Sequence, residues 1–163
     1  MKVKVFNAAG ALVGPIESAR VVQADAEWRA RLTPEQFAIA RGKGTERAFC
    51  GTLLDNKRDG VYSCVCCGLP LFTSAAKFES GTGWPSFFQP VAPENVSTHA
   101  DRAYGMVRTE ILCSRCDAHL GHVFEDGPAP TRLRFCVNGA SLVFTDQDRL
   151  ATLADPAAPS VGT

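Results

Sequence analysis

Alternation opens the chain: Val3 and Val5 point one way and Lys2 and Lys4 the other, the period-2 pattern of a strand with one buried face. Asn7-Ala8-Ala9-Gly10 follows, then a second apolar piece at Leu12-Val13 before Gly14-Pro15. Residues 1–24 therefore read as a hairpin extension, an appendage at the edge of the fold. Asp25 to about Gly42 is the one helical stretch. Asp25 is placed to cap a first short helix carrying Trp28 and Leu32. Thr33-Pro34-Glu35-Gln36 then restarts the helix with a hydroxyl N-cap, proline at the first position and glutamine at the third. Leu32 and Phe37 take the two staple positions around that cap, Ala40 continues the apolar stripe and Gly42 ends it.

From Gly60 the texture changes to short apolar runs separated by Gly, Pro, Asp and Asn. Val61–Val65, Leu69–Phe72, Gly105–Leu112, Leu133–Val137 and Leu142–Phe144 each suit a short strand, so the pattern predicts a mainly β, antiparallel fold over residues 25–150. The rest, 151–163, reads as a flexible tail: Asp155–Thr163 is Pro, Ala, Ser and Gly without apolar periodicity and is expected to be disordered.

The chain has 163 residues, enough for one domain with a core that needs no disulfides. Lys plus Arg and Asp plus Glu are 17 each, and that balance argues against a nucleic-acid or membrane-surface binder. No apolar run reaches the ~18 residues of a membrane span. Asn7, Gly10, Gly14 and Pro15 break up any signal-peptide core, so the expected location is cytoplasmic. Against that setting the seven cysteines stand out. An odd number in a reducing compartment points to metal ligation plus thiol chemistry, not to a disulfide scaffold.

Cys64-Val65-Cys66-Cys67 and Cys113-Ser114-Arg115-Cys116 each contain a C-x-x-C step. Two residues between thiolates let a tight turn aim both sulfurs at one ion, and a second such turn completes a tetrahedral four-sulfur zinc site. A redox dithiol is the competing reading of either pair alone. With four protein ligands the metal holds the fold and takes no part in chemistry. Cys66, squeezed between ligands, is expected to point elsewhere as a small buried hydrophobe.

Cys50 and Cys136 remain. Cys136 lies in a strand-like run, so Arg134 and Asn138 share its face. The arginine is expected to favour the thiolate, and the amide to position a polar substrate oxygen. His119 and His122 sit just after the last metal cysteine; with the metal saturated, they suit a proton donor and its partner. His99 reads as solvated in a polar loop. Gly81-Thr82-Gly83-Trp84-Pro85 reads as a loop that presents the indole, a ring suited to packing on a methyl group or a sulfur.

The order GTE-x-x-F, CxxCGxPLF, FESGxGWPSF, CSRCDAHLGHVFEDGP and RFCVNGASL, from about Asp25 to Phe144, resembles the B-type methionine sulfoxide reductases. The resemblance implies two antiparallel sheets, the β-tent arrangement, anchored by a structural zinc on Cys64, Cys67, Cys113 and Cys116, with short N-terminal helices. It implies reduction of the R epimer of methionine sulfoxide, free or in proteins, by a monomer recycled by thioredoxin. Cys136 takes the place of the nucleophile. His119, His122, Arg134 and Asn138 take the polar active-site positions, and Trp84 with Phe135 the substrate-binding ones. Many members carry a recycling cysteine where this chain has Thr82; Cys50 matches the alternative recycling position. The residues themselves also admit a non-catalytic, zinc-stabilised binding module, although such a module has no need of a thiol flanked by Arg134 and Asn138.

Overall fold

The computed structural model of the chain describes residues 1–159. Strands β1 (Lys2–Phe6) and β2 (Leu12–Glu17) form the expected hairpin, and helices α1 (Asp25–Arg31) and α2 (Pro34–Ala40) follow. At the start of α2, Thr33 Oγ1 accepts the Gln36 N–H at 3.1 Å and Gln36 Oε1 accepts the Thr33 N–H at 2.9 Å. Two donors that a helix start leaves orphaned are thus satisfied reciprocally. The start of α1 differs from expectation. Its N-cap is Ala24 and Asp25 is the first helical residue, where its charge still complements the positive end of the helix dipole.

Nine further strands follow: β3 (Gly60–Cys64), β4 (Pro70–Thr73), β5 (Lys77–Phe78), β6 (Ser86–Phe87), β7 (Val96–Asp101), β8 (Arg108–Cys113), β9 (His119–Phe124), β10 (Arg134–Val137) and β11 (Leu142–Asp146). They build two antiparallel sheets, a six-stranded one in the order β5-β6-β10-β9-β8-β7 and a three-stranded one in the order β11-β3-β4. The mainly β class and the pair of antiparallel sheets match the sequence reading. β5, β6, β7 and β9 were not foreseen; β7 is an edge strand, and Thr98, His99 and Ala100 are exposed, so it carries no apolar alternation. His99 accordingly lies on a strand and not in a loop.

The aromatic core fills the space between the two sheets. Phe72 of β4 stacks on Phe87 of β6 at 4.4 Å between centroids, Tyr62 of β3 meets Phe87 edge-on at 5.1 Å, and Phe72 meets Phe135 of β10 at 5.9 Å. Such offset and edge-to-face pairs stabilise beyond the area they bury.

Every residue of β3 is buried, so both faces of that sheet are covered, and the cover on the second face corrects two expectations. The N-terminal hairpin is no appendage: Val3 and Val5 belong to the main core, while Phe6 packs with Val61 of β3 and Leu150. The fully buried Asn95 ties it down. Its Oδ1 accepts the Lys4 N–H at 2.8 Å, and its Nδ2 donates to the Lys4 carbonyl at 2.8 Å and to the Pro70 carbonyl at 2.7 Å. One side-chain amide here substitutes for a missing strand partner. The described part of the tail is docked as well. Asp155 receives Arg115 Nη1 at 2.8 Å, the Asp155 N–H reaches the Phe6 carbonyl at 2.9 Å, and Ala158 packs on the core. The end of the predicted flexible tail, 160–163, lies outside the described residues. Among those described, no helix is long and apolar enough to cross a membrane.

Candidate active site and metal centre

Both C-x-x-C steps fold into the same turn. The Gly68 N–H donates to the Cys64 carbonyl at 2.9 Å and the Cys64 N–H to the Leu69 carbonyl at 2.8 Å. In the second turn Asp117 donates to Cys113 at 2.9 Å and Cys113 to Ala118 at 3.0 Å. Each turn closes through a left-handed residue, Gly68 at φ 79° and Asp117 at φ 60°, residue types that tolerate that region. The turns bring Cys64, Cys67, Cys113 and Cys116 together with all four sulfurs within 4.8 Å of one another.

The sulfurs are 3.6 Å apart for Cys64–Cys116 and 3.5 Å apart for Cys67–Cys113, far beyond the ~2.05 Å of a disulfide. A tetrahedral ion with metal–sulfur bonds of about 2.3 Å separates its ligands by about 3.8 Å, so the donor set fits a metal. Four thiolates around a divalent cation leave excess negative charge, and Arg41 answers it: Nη1 donates to the Cys116 carbonyl at 2.9 Å and lies 3.7 Å from the Cys116 sulfur. Cys66 is buried outside the set.

The second site lies on the face of the six-stranded sheet turned away from the core. Register places Ser86, Cys136, His122, Glu110 and His99 in one row of cross-strand partners across β6, β10, β9, β8 and β7. His119 and His122 are three apart, which in a regular strand puts them on opposite faces. A bulge corrects this: Leu112 pairs with His119 and Ile111 with Gly121, leaving Leu120 as the extra residue. The imidazoles then lie edge to face at 5.7 Å. Gly121 is required because a Cβ there would sit 1.9 Å from the Cys136 carbonyl oxygen.

A cavity of about 250 Å³ opens over Cys136, lined by His122, Arg134, Asn138, Trp84, Thr82 and Arg108 among others. Cys136 is half-buried. Burial pushes its thiol above the ordinary range, and the nearby Arg134 charge and Thr82 hydroxyl pull the other way without winning. The expected thiolate is therefore not the resting form. Part of the reason is that Arg134 is engaged elsewhere. It donates to both carboxylate oxygens of Asp126, at 2.9 and 3.1 Å, and lies over the Phe124 ring at 4.4 Å.

Each histidine carries its own carboxylate. His119 Nδ1 is 2.6 Å from Glu110 Oε2, and His122 Nε2 is 2.8 Å from Asp101 Oδ2. Cations back both acids: Lys43 lies 3.3 Å from Glu110, and Arg108 lies 3.1 Å from Asp101. The His122 hydrogen bond, with help from the Ala103 N–H and then Arg108, holds the Asp101 carboxyl at about 2. Burial drives the His119 pKa down against the opposing pull of Glu110. His119 lines a neighbouring trough of about 590 Å³, and His122 lines both that trough and the Cys136 cavity.

Other predicted residues separate. Phe135 is buried against Phe72 on the core face, opposite to Cys136, and does not line the cavity. Strand alternation forces this outcome for the immediate neighbour of an outward-facing residue, so its substrate-binding assignment is corrected. Asn138 lines the cavity, but its Oδ1 accepts the Glu46 N–H at 2.9 Å and its Nδ2 donates to the Leu120 carbonyl at 3.2 Å. It acts mainly as a brace. Trp84 is half-buried and donates its indole N–H to the Glu46 carbonyl at 2.8 Å. Cys50 is exposed and lines a different cavity, with Thr33, Glu46 and Val143 among others, so the structure does not bring it to Cys136.

Sequence reasoning missed Asp101, Arg108, Glu110 and Glu46. Arg108 and Glu110 are spaced i, i+2 within the predicted strand Gly105–Leu112, a usable signal of a shared polar face. Asp101 ends β7, whose exposed residues give no strand alternation to point to it.

Fold and site together define the class: an antiparallel β scaffold with a four-cysteine cluster suited to a metal and a separate thiol-bearing cavity. The SelR domain model matches residues 32–146. The peptide methionine sulfoxide reductase MsrB of Hahella chejuensis is 59% identical over 129 residues, 79% of this chain and 93% of the relative. That of Synechococcus sp. (strain RCC307) is 60% identical over 121 residues, 74% of this chain and 89% of the relative. That of Acinetobacter baumannii (strain AYE) is 54% identical over 130 residues, 80% and 94%. The chain belongs to the SelR domain family, the B-type methionine sulfoxide reductases. Membership of an enzyme family decides against the non-catalytic binding module.

Proposed function

We propose that the chain reduces methionine-(R)-sulfoxide, free or in proteins, with Cys136 as nucleophile. The observation that carries this reading is the row Cys136–His122 at the floor of a cavity walled by Trp84. A sulfoxide sulfur is electrophilic, but its oxygen leaves only once protonated. Cys136 rests as a thiol, so the proton it gives up on attack is the one the oxygen needs. His122, beside the sulfur and oriented by Asp101, relays it. His119, buried and outside the cavity, supports the neighbouring ring. The oxygen then passes from the methionine sulfur to the Cys136 sulfur as the sulfur–sulfur bond breaks, which releases methionine and leaves Cys136 as sulfenic acid.

Cys50 condenses with that sulfenic acid to form a disulfide and water, and an external dithiol, thioredoxin, reduces the disulfide back to two thiols. Because Cys50 starts in a different cavity, this step requires the segment that carries it to move. The ion suited to the four thiolates is zinc, a closed structural site whose contribution is to cross-link the two turns. The chain works as a cytoplasmic monomer.

The test is an assay on separated sulfoxide epimers, coupled to NADPH through thioredoxin, with wild type and Cys50→Ser. Wild type should turn over the R epimer alone, and Cys50→Ser should complete about one turnover and then stall. Mass spectrometry of the oxidised wild type should find Cys50 joined to Cys136. Sustained cycling of Cys50→Ser at the wild-type rate would exclude it as the recycling thiol, and preference for the S epimer would overturn the substrate assignment.

A further inference from the structure

Glu46 is only 5% exposed, and no step above uses it. Its polar contacts reach three different parts of the site. Carboxylate oxygen Oε1 accepts the Ala140 N–H at 2.9 Å, from the single 3₁₀ turn Gly139–Ser141 that follows Asn138. Its backbone N–H donates to Asn138 Oδ1 at 2.9 Å, and its carbonyl accepts the Trp84 indole N–H at 2.8 Å. The second carboxylate oxygen, Oε2, has no hydrogen-bond partner among the described residues and is closed over by backbone. A Cβ on Gly51 would lie 2.5 Å from it, and one on Gly139 would lie 3.4 Å away.

Burying a carboxylate with one oxygen unpaired costs stability. A shorter or apolar side chain at the same place would avoid that cost, so the acceptor it presents to Ala140 points to work done elsewhere in the site. We propose that Glu46 is the positioning residue of the substrate-binding wall, an inference that rests on the reductase reading. Its side chain is pinned to the turn that follows β10, the strand bearing Cys136. That pin fixes the Glu46 backbone, and the fixed backbone holds the Asn138 amide and the Trp84 indole in the cavity. Without the pin, the indole loses its acceptor and can swing about two side-chain torsions. Misplacement by about 1 Å costs up to ~10²-fold in a pre-organised site.

The experiment compares Glu46→Ala, Glu46→Asp and Glu46→Gln in the full chain, with bound metal and thermal midpoint measured on each. Activity is read as kcat and KM for N-acetyl-methionine-(R)-sulfoxide with dithiothreitol as reductant. Trp84 emission is isolated by subtracting the spectrum of Trp84→Phe. Alanine removes the carboxylate and aspartate withdraws it from Ala140, so both should lower kcat/KM about 10- to 100-fold, mainly through KM. Both should also shift Trp84 emission to longer wavelength. Glutamine keeps an acceptor for the Ala140 N–H and should stay within about threefold of wild type. If the alanine variant fails to fold, aspartate carries the test. The inference is overturned by wild-type kinetics and emission in the shortened variants, by an unchanged KM alongside a reduced kcat, or by a glutamine variant as impaired as aspartate. Absent turnover in wild type instead defeats the reductase reading, and the emission comparison still decides whether the pin holds Trp84.

Discussion

Four of the cysteines and Cys136 are the same side chain put to opposite uses, and the difference between their two regions is one of sequence range. At the metal end, each turn is closed by hydrogen bonds spanning only four or five residues, Gly68 to Cys64 and Cys64 to Leu69 in one, Asp117 to Cys113 and Cys113 to Ala118 in the other. Local backbone aims the sulfurs, and an ion bound there would join two finished halves. At the cavity end nothing local makes Cys136 reactive. Beside the adjacent Arg134 and Asn138, its neighbours come from β9, from the loop bearing Thr82 and Trp84, and from the segment after α2. Its proton is held by burial. The metal end should therefore fail as a unit, and the cavity end should change by degrees.

The largest effect is expected where failure is collective. Cys113→Ser, or stripping with a strong chelator, removes an ion whose four-ligand site is worth on the order of 10 kcal/mol in small peptides. The expected result is loss of bound metal and a thermal midpoint lowered by more than about 10 °C. An unaltered midpoint after verified metal loss would mean that the sheets hold without the cross-link.

Cys136→Ser comes next. Turnover should drop on the order of 10⁴-fold or more while metal content and thermal midpoint stay at wild-type values, because the half-buried sulfur braces nothing at the metal end. A fall in both activity and metal content would mean that the two regions are one cooperative unit, and the contrast drawn between them would collapse.

The same contrast explains what could be read from the sequence. The metal ligands were legible because a C-x-x-C step is a complete local instruction, and the helix start at Thr33 because its cap and its partner Gln36 lie three residues apart. Cys136 and His122 were legible as residues, yet their meeting depends on register between β9 and β10, and the shared face of His119 and His122 depends on a bulge at Leu120 that no pattern announced. Phe135 was misassigned because it adjoins Cys136 in sequence, whereas alternation sends it into the core. Glu46 appeared only inside the GTE-x-x-F motif, with no sign of what it touches: its contacts to Asn138 and Trp84 are made by its backbone N–H and carbonyl, groups that every residue has. The hairpin was read as an appendage and the described part of the tail as flexible because their apolar pieces are short and gain burial only by packing on residues distant in sequence.

The smallest expected effect tests the graded behaviour directly. Burial raises the Cys136 thiol, Arg134 opposes that rise, and Asp126 restores it by adding negative charge. In Asp126→Asn the Arg134 charge is left uncompensated and an acceptor oxygen remains to keep the guanidinium in place, so the thiol should ionise at lower pH. Below its pKa, thiolate population grows in proportion to the drop, and alkylation by iodoacetamide at pH 7 should speed up correspondingly. Asp126 is largely solvent-exposed, so screening keeps the gain to about two- to threefold at low salt and shrinks it further at 1 M salt. Cys50 is exposed and alkylates in parallel, so the measurement belongs in a Cys50→Ser background with Cys136 followed by peptide mass. In the parent of that pair, alkylation should keep climbing with pH beyond the range in which an exposed cysteine has levelled off, since burial holds the thiol above the ordinary range. Equal or slower alkylation of Asp126→Asn would show that the carboxylate holds Arg134 near the sulfur more than it cancels its charge, and the reactive end would then be as rigidly built as the metal end.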